Sequence, residues 1–174
     1  QKITMNKIIF LDFDGVLNTE HYQGLLQYQG KPWQDEYGAF FDPKSVKQLK
    51  KIIDATGADI VVESSWKYLG LDAMKELWEI RSLPGKIIDI TPSSVSDEHL
   101  LDVDLENIDT AILHCKGMEI ASWLSEQKRQ DIRYVIIDDE YVILDSQLPH
   151  FILTNPYEGI TEEQANKAIS ILNG

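Results

Sequence analysis

The chain has 174 residues, which predicts one domain with a sizeable core, because domains run to ~100–200 residues. Its 16 lysines and arginines against 29 aspartates and glutamates give a net charge of −13, which opposes stable binding of nucleic acid or anionic membranes. The single cysteine excludes an internal disulfide and favours a reducing compartment. Because no apolar run exceeds four residues, we expect no membrane span, no signal-peptide core and a cytoplasmic protein.

Apolar runs of strand length alternate with helical periodicity along the chain, which is typical of an α/β fold with a parallel sheet. The predicted strands are residues 8–11, 60–62, 87–90, 134–137 and 151–153. The predicted helices run from Pro43 to a stop at Gly57, over residues 71–81 and 119–130, and from Thr161 toward the C-terminus. Residues 93–110 are acidic and predict a loop or short turns, and residues 19–41 form a long aperiodic stretch typical of a lid.

Polar side chains follow three of the predicted strands. They are Asp12 and Asp14, Ser64 and Ser65, and Asp138 and Asp139. In an open parallel sheet the carboxyl ends of the strands form the ligand-binding edge, so we expect these three regions to meet at one site. Residues i and i+2 of an extended segment point to the same side, which lets Asp12 and Asp14 face one substrate while Gly15 turns the backbone away.

Several carboxylates at one sheet edge repel each other unless a cation lies between them, so we expect the metal-free fold to be destabilised. An all-oxygen ligand set favours Mg²⁺. With Mg²⁺ at the phosphate oxygens, one aspartate can attack phosphorus while its neighbour handles the proton of the leaving group. Lys116 supplies a cation for the developing phosphoryl charge, and Ser64 supplies a hydroxyl donor.

Four motifs resemble, in order, those of the haloacid dehalogenase (HAD) superfamily of phosphohydrolases. They are residues 8–18, residues 60–65, Lys116 ahead of a helix, and residues 135–139. Segments at 64–67, 116–124 and 153–161 are similar to the small HAD domains of Swiss Army Knife RNA repair proteins. The resemblance implies a Rossmann-like three-layer sandwich with a central parallel sheet, as a single hydrolase domain over 1–174 with a minimal cap or flap inserted at about 18–41.

The resemblance also implies catalytic and metal-binding roles. Asp12 matches the nucleophile that forms an aspartyl-phosphate, and Asp14 matches the general acid that then serves as the base for water. Because the dehalogenases of the superfamily lack an acid at the place of Asp14, its presence favours phosphoryl chemistry over carbon–halogen cleavage. The implied Mg²⁺ ligands are Asp12, the backbone carbonyl of Asp14, Asp138 and, nearby, Asp139.

By the same resemblance, phosphoryl oxygens would be held by Lys116 and by a serine hydroxyl. The sequence does not separate Ser64 from Ser65 as that serine. The next two residues, Trp66 and Lys67, have two interpretations. They contact substrate or, as is more frequent for an aromatic side chain after a strand, they belong to the core.

The leading functional interpretation is a Mg²⁺-dependent phosphatase that hydrolyses a phosphomonoester, whose alcohol part is a small molecule or a nucleic-acid end. An insert of about two dozen residues is shorter than a full cap of ~50 residues, so a polynucleotide end could also enter, which is the second interpretation. It requires a basic rim, for which Lys31, Lys67 and Lys116 are the candidates. A third interpretation is a phosphoacceptor or phosphate-binding module. Receiver domains begin with an adjacent acidic pair, whereas the first strand here carries the spaced pair Asp12 and Asp14, which favours the hydrolase.

Overall fold

Five parallel strands form the sheet, and each lies where the sequence predicts one. In the computed structural model, which describes residues 6–93, 115–129 and 131–174, they are β1 (Lys7–Leu11), β2 (Asp59–Val62), β3 (Ile87–Ile90), β4 (Arg133–Asp138) and β5 (Phe151–Leu153). Their spatial order is β3-β2-β1-β4-β5, and every pairing is parallel. The predicted α/β class with a central parallel sheet is therefore confirmed.

Helices cover both faces of this sheet. They are α1 (Glu20–Tyr28), α2 (Pro43–Thr56), α3 (Leu71–Ile80), α4 (Cys115–Glu126) and α5 (Glu162–Asn173), with 3₁₀ segments at Ser65–Leu69 and Asp145–His150. On β1, Ile9 and Leu11 pack into the core that α2, α3 and α5 share, whereas Ile8 and Phe10 pack with Trp123 of α4. Because successive residues of a strand face opposite sides, a strand covered on both faces is apolar throughout, as the sequence of β1 shows.

The ends of α2 and α5 follow the capping chemistry that the sequence predicts. The carboxylate of Asp42 accepts the Lys44 N–H at 2.9 Å ahead of α2, and Gly57 ends that helix in the left-handed region at φ +69°. At α5, the Thr161 hydroxyl accepts the Gln164 N–H at 3.2 Å while the Gln164 side chain accepts the Thr161 N–H at 3.0 Å. Both helices therefore begin at the residues that their local sequence specifies.

The helix α4 differs from its predicted bounds. It begins at Cys115 and ends at Glu126, whereas the sequence predicts 119–130. At its end the Gln127 side chain donates to the Trp123 carbonyl at 2.8 Å, which satisfies a carbonyl that a continuing helix would have used. The earlier start brings Lys116, predicted to precede the helix, into its first turn.

The stretch 19–41, predicted to be aperiodic, contains the helix α1. The Thr19 hydroxyl caps this helix by accepting the Tyr22 N–H at 3.0 Å. Leu26 is its buried residue, so α1 has no apolar stripe for a periodicity analysis to detect. In the sequence, the capping residue Thr19 is the feature from which the start of α1 could have been predicted.

Two further expectations concern regions around the sheet. None of the helices in the described ranges combines the length and the apolar composition needed to cross a membrane. The predicted acidic loop at 93–110 lies, from residue 94 onward, outside the described residues. The single-domain organisation with its insert at about 18–41 stays a prediction.

Candidate active site

A row of polar residues continues the sheet beyond the carboxyl ends of its strands. Backbone hydrogen bonds join Asp12 N–H to Ile137 C=O at 3.1 Å, and Glu63 N–H to Leu11 C=O at 3.0 Å, so the ladder extends past β1 and β2. The polar side chains at these ends are all buried: Thr91, Glu63, Asp12, Asp138 and Thr154. The strands β1 and β4 are neighbours here although they are distant in sequence, which is the topological switch point where open α/β sheets bind ligands.

Three carboxylates converge at this switch point. One oxygen from each of Asp12, Asp138 and Asp139 lies within 4.8 Å of the others, as the sequence-based site requires. The Asp139 carboxylate lies against Gly15, where any Cβ would overlap it, and Gly15 also has φ +76°. Both the space and the backbone therefore require glycine at this position. Among the described residues, this cluster does not include the side chain of Asp14.

Lys116 places its ammonium among the buried carboxylates. Its Nζ lies 2.9 Å from Asp138 Oδ2, 3.5 Å from Asp12 Oδ2 and 3.7 Å from Glu63 Oε2. The side chain is 26% exposed, so it lines an accessible part of the site. Burial alone would lower the pKa of Lys116, but the charges of these carboxylates raise it above its usual value. Lys116 is therefore a permanent cation at the sheet edge.

Glu63 is a site residue that the sequence analysis did not assign. It is 2% exposed, and its two carboxylate oxygens lack a hydrogen-bond donor among the described residues. Burial, followed by the charge of Asp138, raises its pKa well above the usual value. In its protonated form it donates a hydrogen bond to Asp138, which gives one of the two oxygens a partner. In the sequence, the feature that could have identified Glu63 as a site residue is its charge directly after the apolar strand β2.

The aspartates divide into groups with raised and lowered pKa. Burial and then the charge of Asp138 raise the pKa of Asp12 to about 8. Burial and then the hydrogen bond and charge of Asp138 raise the pKa of Asp139 to about 6. Burial acts in the same direction at Asp138, but the Glu63 hydrogen bond and the Lys116 charge outweigh it and lower that pKa. At neutral pH the negative charge of this cluster is therefore carried by Asp138 and Asp139 more than by Asp12.

Asp14 lies beside this cluster with an exposed carboxylate. Its Oδ1 accepts the Asn18 amide N–H at 2.8 Å. The indole N–H of Trp66 lies 3.2 Å from Oδ1 and 3.3 Å from Oδ2 of the same carboxylate. Trp66 also packs against the aromatic core, at 5.3 Å between ring centres from Phe13. Trp66 thus belongs to the aromatic core, as one of its two interpretations has it, and it also borders Asp14, whereas its contact with substrate stays a prediction.

The structure distinguishes the two serines by burial. Ser64 is buried, and its hydroxyl accepts the Trp66 N–H at 3.2 Å, whereas Ser65 is exposed. Among the described residues, the Ser64 hydroxyl has no acceptor for its own proton. Ser64 thus retains a hydroxyl proton to donate, although its side chain is fully buried.

Lys67 does not belong to a basic rim, contrary to the sequence-based proposal. It is 3% exposed, and its Nζ lies 2.6 Å from Glu119 Oε2 and 3.0 Å from the Thr91 hydroxyl. A lysine is buried only when a partner offsets its desolvation, and here the partner comes from α4, far along the chain. Of the other two rim candidates, Lys31 is exposed and Lys116 lies inside the site.

Comparison with known proteins identifies one family. Residues 8–165 match the family model described as the HAD domain in Swiss Army Knife RNA repair proteins. No curated protein and no solved structure matches the chain. The matched span runs from the second residue of β1 into α5, and it contains all the residues of the carboxylate cluster together with Lys116.

Proposed function

Because the chain belongs to the family of HAD domains found in Swiss Army Knife RNA repair proteins, we propose that it is a Mg²⁺-dependent phosphatase acting on a phosphomonoester. The reaction proceeds through an aspartyl-phosphate on Asp12. The observation that carries this proposal is the cluster of Asp12, Asp138 and Asp139 at the switch point, with the Lys116 ammonium against it. This arrangement combines ligands for a hard cation with a fixed positive charge for a phosphoryl group.

The donor set supports Mg²⁺ as the cation. Mg²⁺ prefers hard oxygen ligands, and the three carboxylates bring one oxygen each within 4.8 Å of the others. Asp12, Asp138 and Asp139 would hold the ion, and the family resemblance adds the backbone carbonyl of Asp14. When bound, Mg²⁺ supplies charge neutralisation and polarises the phosphoryl oxygens.

Asp12 and Asp14 perform the bond-making and proton-transfer steps. A carboxylate oxygen of Asp12 attacks phosphorus, the bond from phosphorus to the leaving oxygen breaks, and Asp14 gives its proton to that oxygen. Asp14 then takes a proton from water, whose oxygen attacks phosphorus and breaks the bond to Asp12. Alcohol and inorganic phosphate leave, and both carboxyl groups return to their starting protonation. Burial and the Asp138 charge raise the pKa of Asp12 to about 8 against the opposing charge of Lys116, so the ionised form that this attack requires would be favoured further by the charge of Mg²⁺ held at the same oxygens.

Lys116 and Ser64 hold the phosphoryl oxygens in this scheme. Lys116 combines partial exposure with contacts to Asp12 and Asp138, so its ammonium can reach a phosphoryl group bound at the same edge. Ser64 directly follows the polar row and retains a hydroxyl proton to donate. Because the Ser64 side chain is fully buried, this role requires the neighbouring side chains to move so that the hydroxyl reaches phosphate.

The proposed activity is tested by steady release of phosphate from p-nitrophenyl phosphate, with millimolar Mg²⁺ or with EDTA. We expect many turnovers with Mg²⁺, no turnover with EDTA, and loss of turnover in Asp12→Asn, because an amide cannot attack phosphorus. Asp72→Asn makes the same chemical change at an exposed position of α3 and serves as the control. A single turnover followed by stable phosphorylation would instead identify a phosphoacceptor module.

A second candidate substrate is the phosphorylated end of a polynucleotide, which the RNA repair description of the family favours. The net charge of −13 opposes stable binding along a nucleic-acid strand, so recognition would be confined to the terminal phosphate. Comparison of kcat/KM for end-phosphorylated oligonucleotides, mononucleotides and sugar phosphates tests this assignment. A preference for oligonucleotides with a shallow salt dependence would support it, and equal values for all three classes would contradict it.

A further inference from the structure

Trp66 connects the Asp14 carboxylate to the insert that follows β1. On one side its indole N–H lies 3.2 Å and 3.3 Å from the two oxygens of Asp14. On the other side the ring covers Gly38, where a Cβ would lie about 2.5 Å from the indole carbons. The exposed carboxylate of Asp14 thus accepts hydrogen bonds from two N–H donors, the Trp66 indole and the Asn18 amide.

The position of the Trp66 ring is fixed by its surroundings. Phe13 meets it edge-on at 90°, with 5.3 Å between ring centres, and Phe41 packs at 5.6 Å. The turn that contains Gly38 is anchored by Arg81, whose Nη2 donates to Asp35 Oδ1 at 2.7 Å and to the Gly38 carbonyl at 3.0 Å. The guanidinium also lies 4.7 Å from the centre of the Phe41 ring. An indole confined in this way offers a fixed donor to Asp14.

We propose that Trp66 is a positioning residue for proton transfer, which holds the Asp14 carboxylate in the orientation that reaches the leaving oxygen. This inference rests on the proposed phosphatase activity, and it assigns to Trp66 a role that acts through Asp14 and not through contact with substrate. A carboxylate on an exposed loop samples several rotamers, and two hydrogen bonds restrict it to one. Loss of the indole donor therefore reduces the fraction of enzyme in which Asp14 is correctly placed.

The kinetic test compares two leaving groups in Trp66→Phe, which removes the N–H and keeps an aromatic ring. We expect kcat/KM to fall ~10-fold for glycerol 2-phosphate, whose alkoxide needs a proton, because the variant lacks the indole N–H that orients Asp14 and stabilises the negative charge developing on it as the proton leaves. For p-nitrophenyl phosphate, whose leaving group departs without a proton, we expect a loss of less than ~3-fold. Equal losses for the two substrates would overturn the positioning role.

A double-variant cycle isolates the dependence on Asp14. In an Asp14→Asn background, the added Trp66→Phe change should lower kcat/KM for glycerol 2-phosphate by less than ~2-fold, because there is no acid left to position. The matched control is Trp78→Phe, which removes an indole donor to the Pro84 carbonyl from the same aromatic cluster. The control should leave the ratio of the two substrates unchanged. A full ~10-fold loss in the Asp14→Asn background would contradict the proposal.

A spectroscopic measurement tests the contact without a Trp66 variant, and it therefore still applies if Trp66→Phe fails to fold. In ¹H–¹⁵N spectra, Asp14→Asn should shift the indole resonance of Trp66 and leave that of Trp123, which donates to Asp89 at 2.7 Å, in place. An unshifted Trp66 resonance would overturn the inference. Wild-type protein without turnover would overturn the proposed function and the positioning role with it, whereas active wild type with equal losses overturns the positioning role alone.

Discussion

The Nζ atom of Lys116 lies 2.9 Å from Oδ2 of Asp138, although the two residues come from different elements, the first turn of α4 and the end of β4. The same ammonium lies within 4 Å of Asp12 and Glu63. Buried carboxylates at this spacing repel each other, and one cation among them offsets part of that repulsion. The charge balance of the metal-free site therefore depends on Lys116.

We predict that Lys116→Met destabilises the metal-free protein by ~3 kcal/mol, because it leaves several carboxylates without their cation. The loss should be larger at pH 8 than at pH 5, where protons neutralise part of the cluster. Thermal denaturation in EDTA at both values of pH measures it. Lys31→Met, at an exposed lysine, is the matched control and should change the melting temperature little. A Lys116 variant as stable as wild type at pH 8 would contradict the prediction.

The stability of the metal-free protein should fall as pH rises from 5 to 8. The pKa of Asp12 is about 8 in the folded protein against 3.8 for an ordinary aspartate, so the folded state binds its proton more tightly than the unfolded chain. That contribution is complete below about pH 4 and is lost as pH approaches 8. Asp139, with a pKa of about 6, adds a loss of the same sign in the lower part of this range.

Two changes should reduce this pH dependence. Asp12→Asn keeps the acceptor for the Phe13 N–H, and it should raise the melting temperature in EDTA at pH 8 and flatten the profile. Mg²⁺ competes with protons for the same oxygens, so it should raise the wild-type melting temperature more at pH 8 than at pH 5. Asp138→Asn should instead lower the melting temperature in EDTA at pH 8, because Lys116 and Glu63 favour the charged form of Asp138 in the folded protein. A flat wild-type profile in EDTA would show that Asp12 does not carry the raised pKa.

The buried pair of Lys67 and Glu119 should contribute strongly to stability. With the two side chains 3% and 7% exposed, Glu119→Gln leaves the Lys67 charge without its partner, and we expect a loss of ~3–5 kcal/mol. Disruption of the exposed Lys50–Asp54 pair by Asp54→Asn is the matched control, with an expected change within ~0.5 kcal/mol. Urea denaturation of the three proteins measures the difference. Equal losses in the two variants would refute a structural role for the Lys67 ion pair.

Alanine substitution should separate Ser64 from Ser65. Ser64→Ala removes the cap of the 3₁₀ segment and the proposed phosphate donor, so we expect a stability loss of ~1 kcal/mol and a loss of ~100-fold in kcat. Ser65→Ala changes an exposed neighbour, so we expect smaller losses of both stability and kcat. Melting temperatures and p-nitrophenyl phosphate kinetics of the two variants provide the comparison. A larger kinetic loss in Ser65→Ala would transfer the phosphate-binding role to Ser65.

The amino-acid sequence by itself determined the elements whose signals are local. The strands were visible as apolar runs, and the capping residues Asp42 and Thr161 marked the starts of α2 and α5. The clustering of Asp12 with Asp138 and Asp139 was also predictable, because parallel strands bring their carboxyl ends to one edge. Each of these conclusions depends on neighbours in the chain or on a general rule of sheet topology.

Only the tertiary structure decided which partners the remaining polar residues have. Lys67 looked like a rim cation, but Glu119 of α4 buries it, and Trp66 looked like a core residue, but its indole also reaches Asp14. Glu63 lies in the site because β2 ends beside β1 in the sheet. The partners of Lys67 and Trp66 each lie 52 positions away along the chain. The burial and pKa of a charged group depend on the elements packed around it in space, and local sequence does not encode that packing.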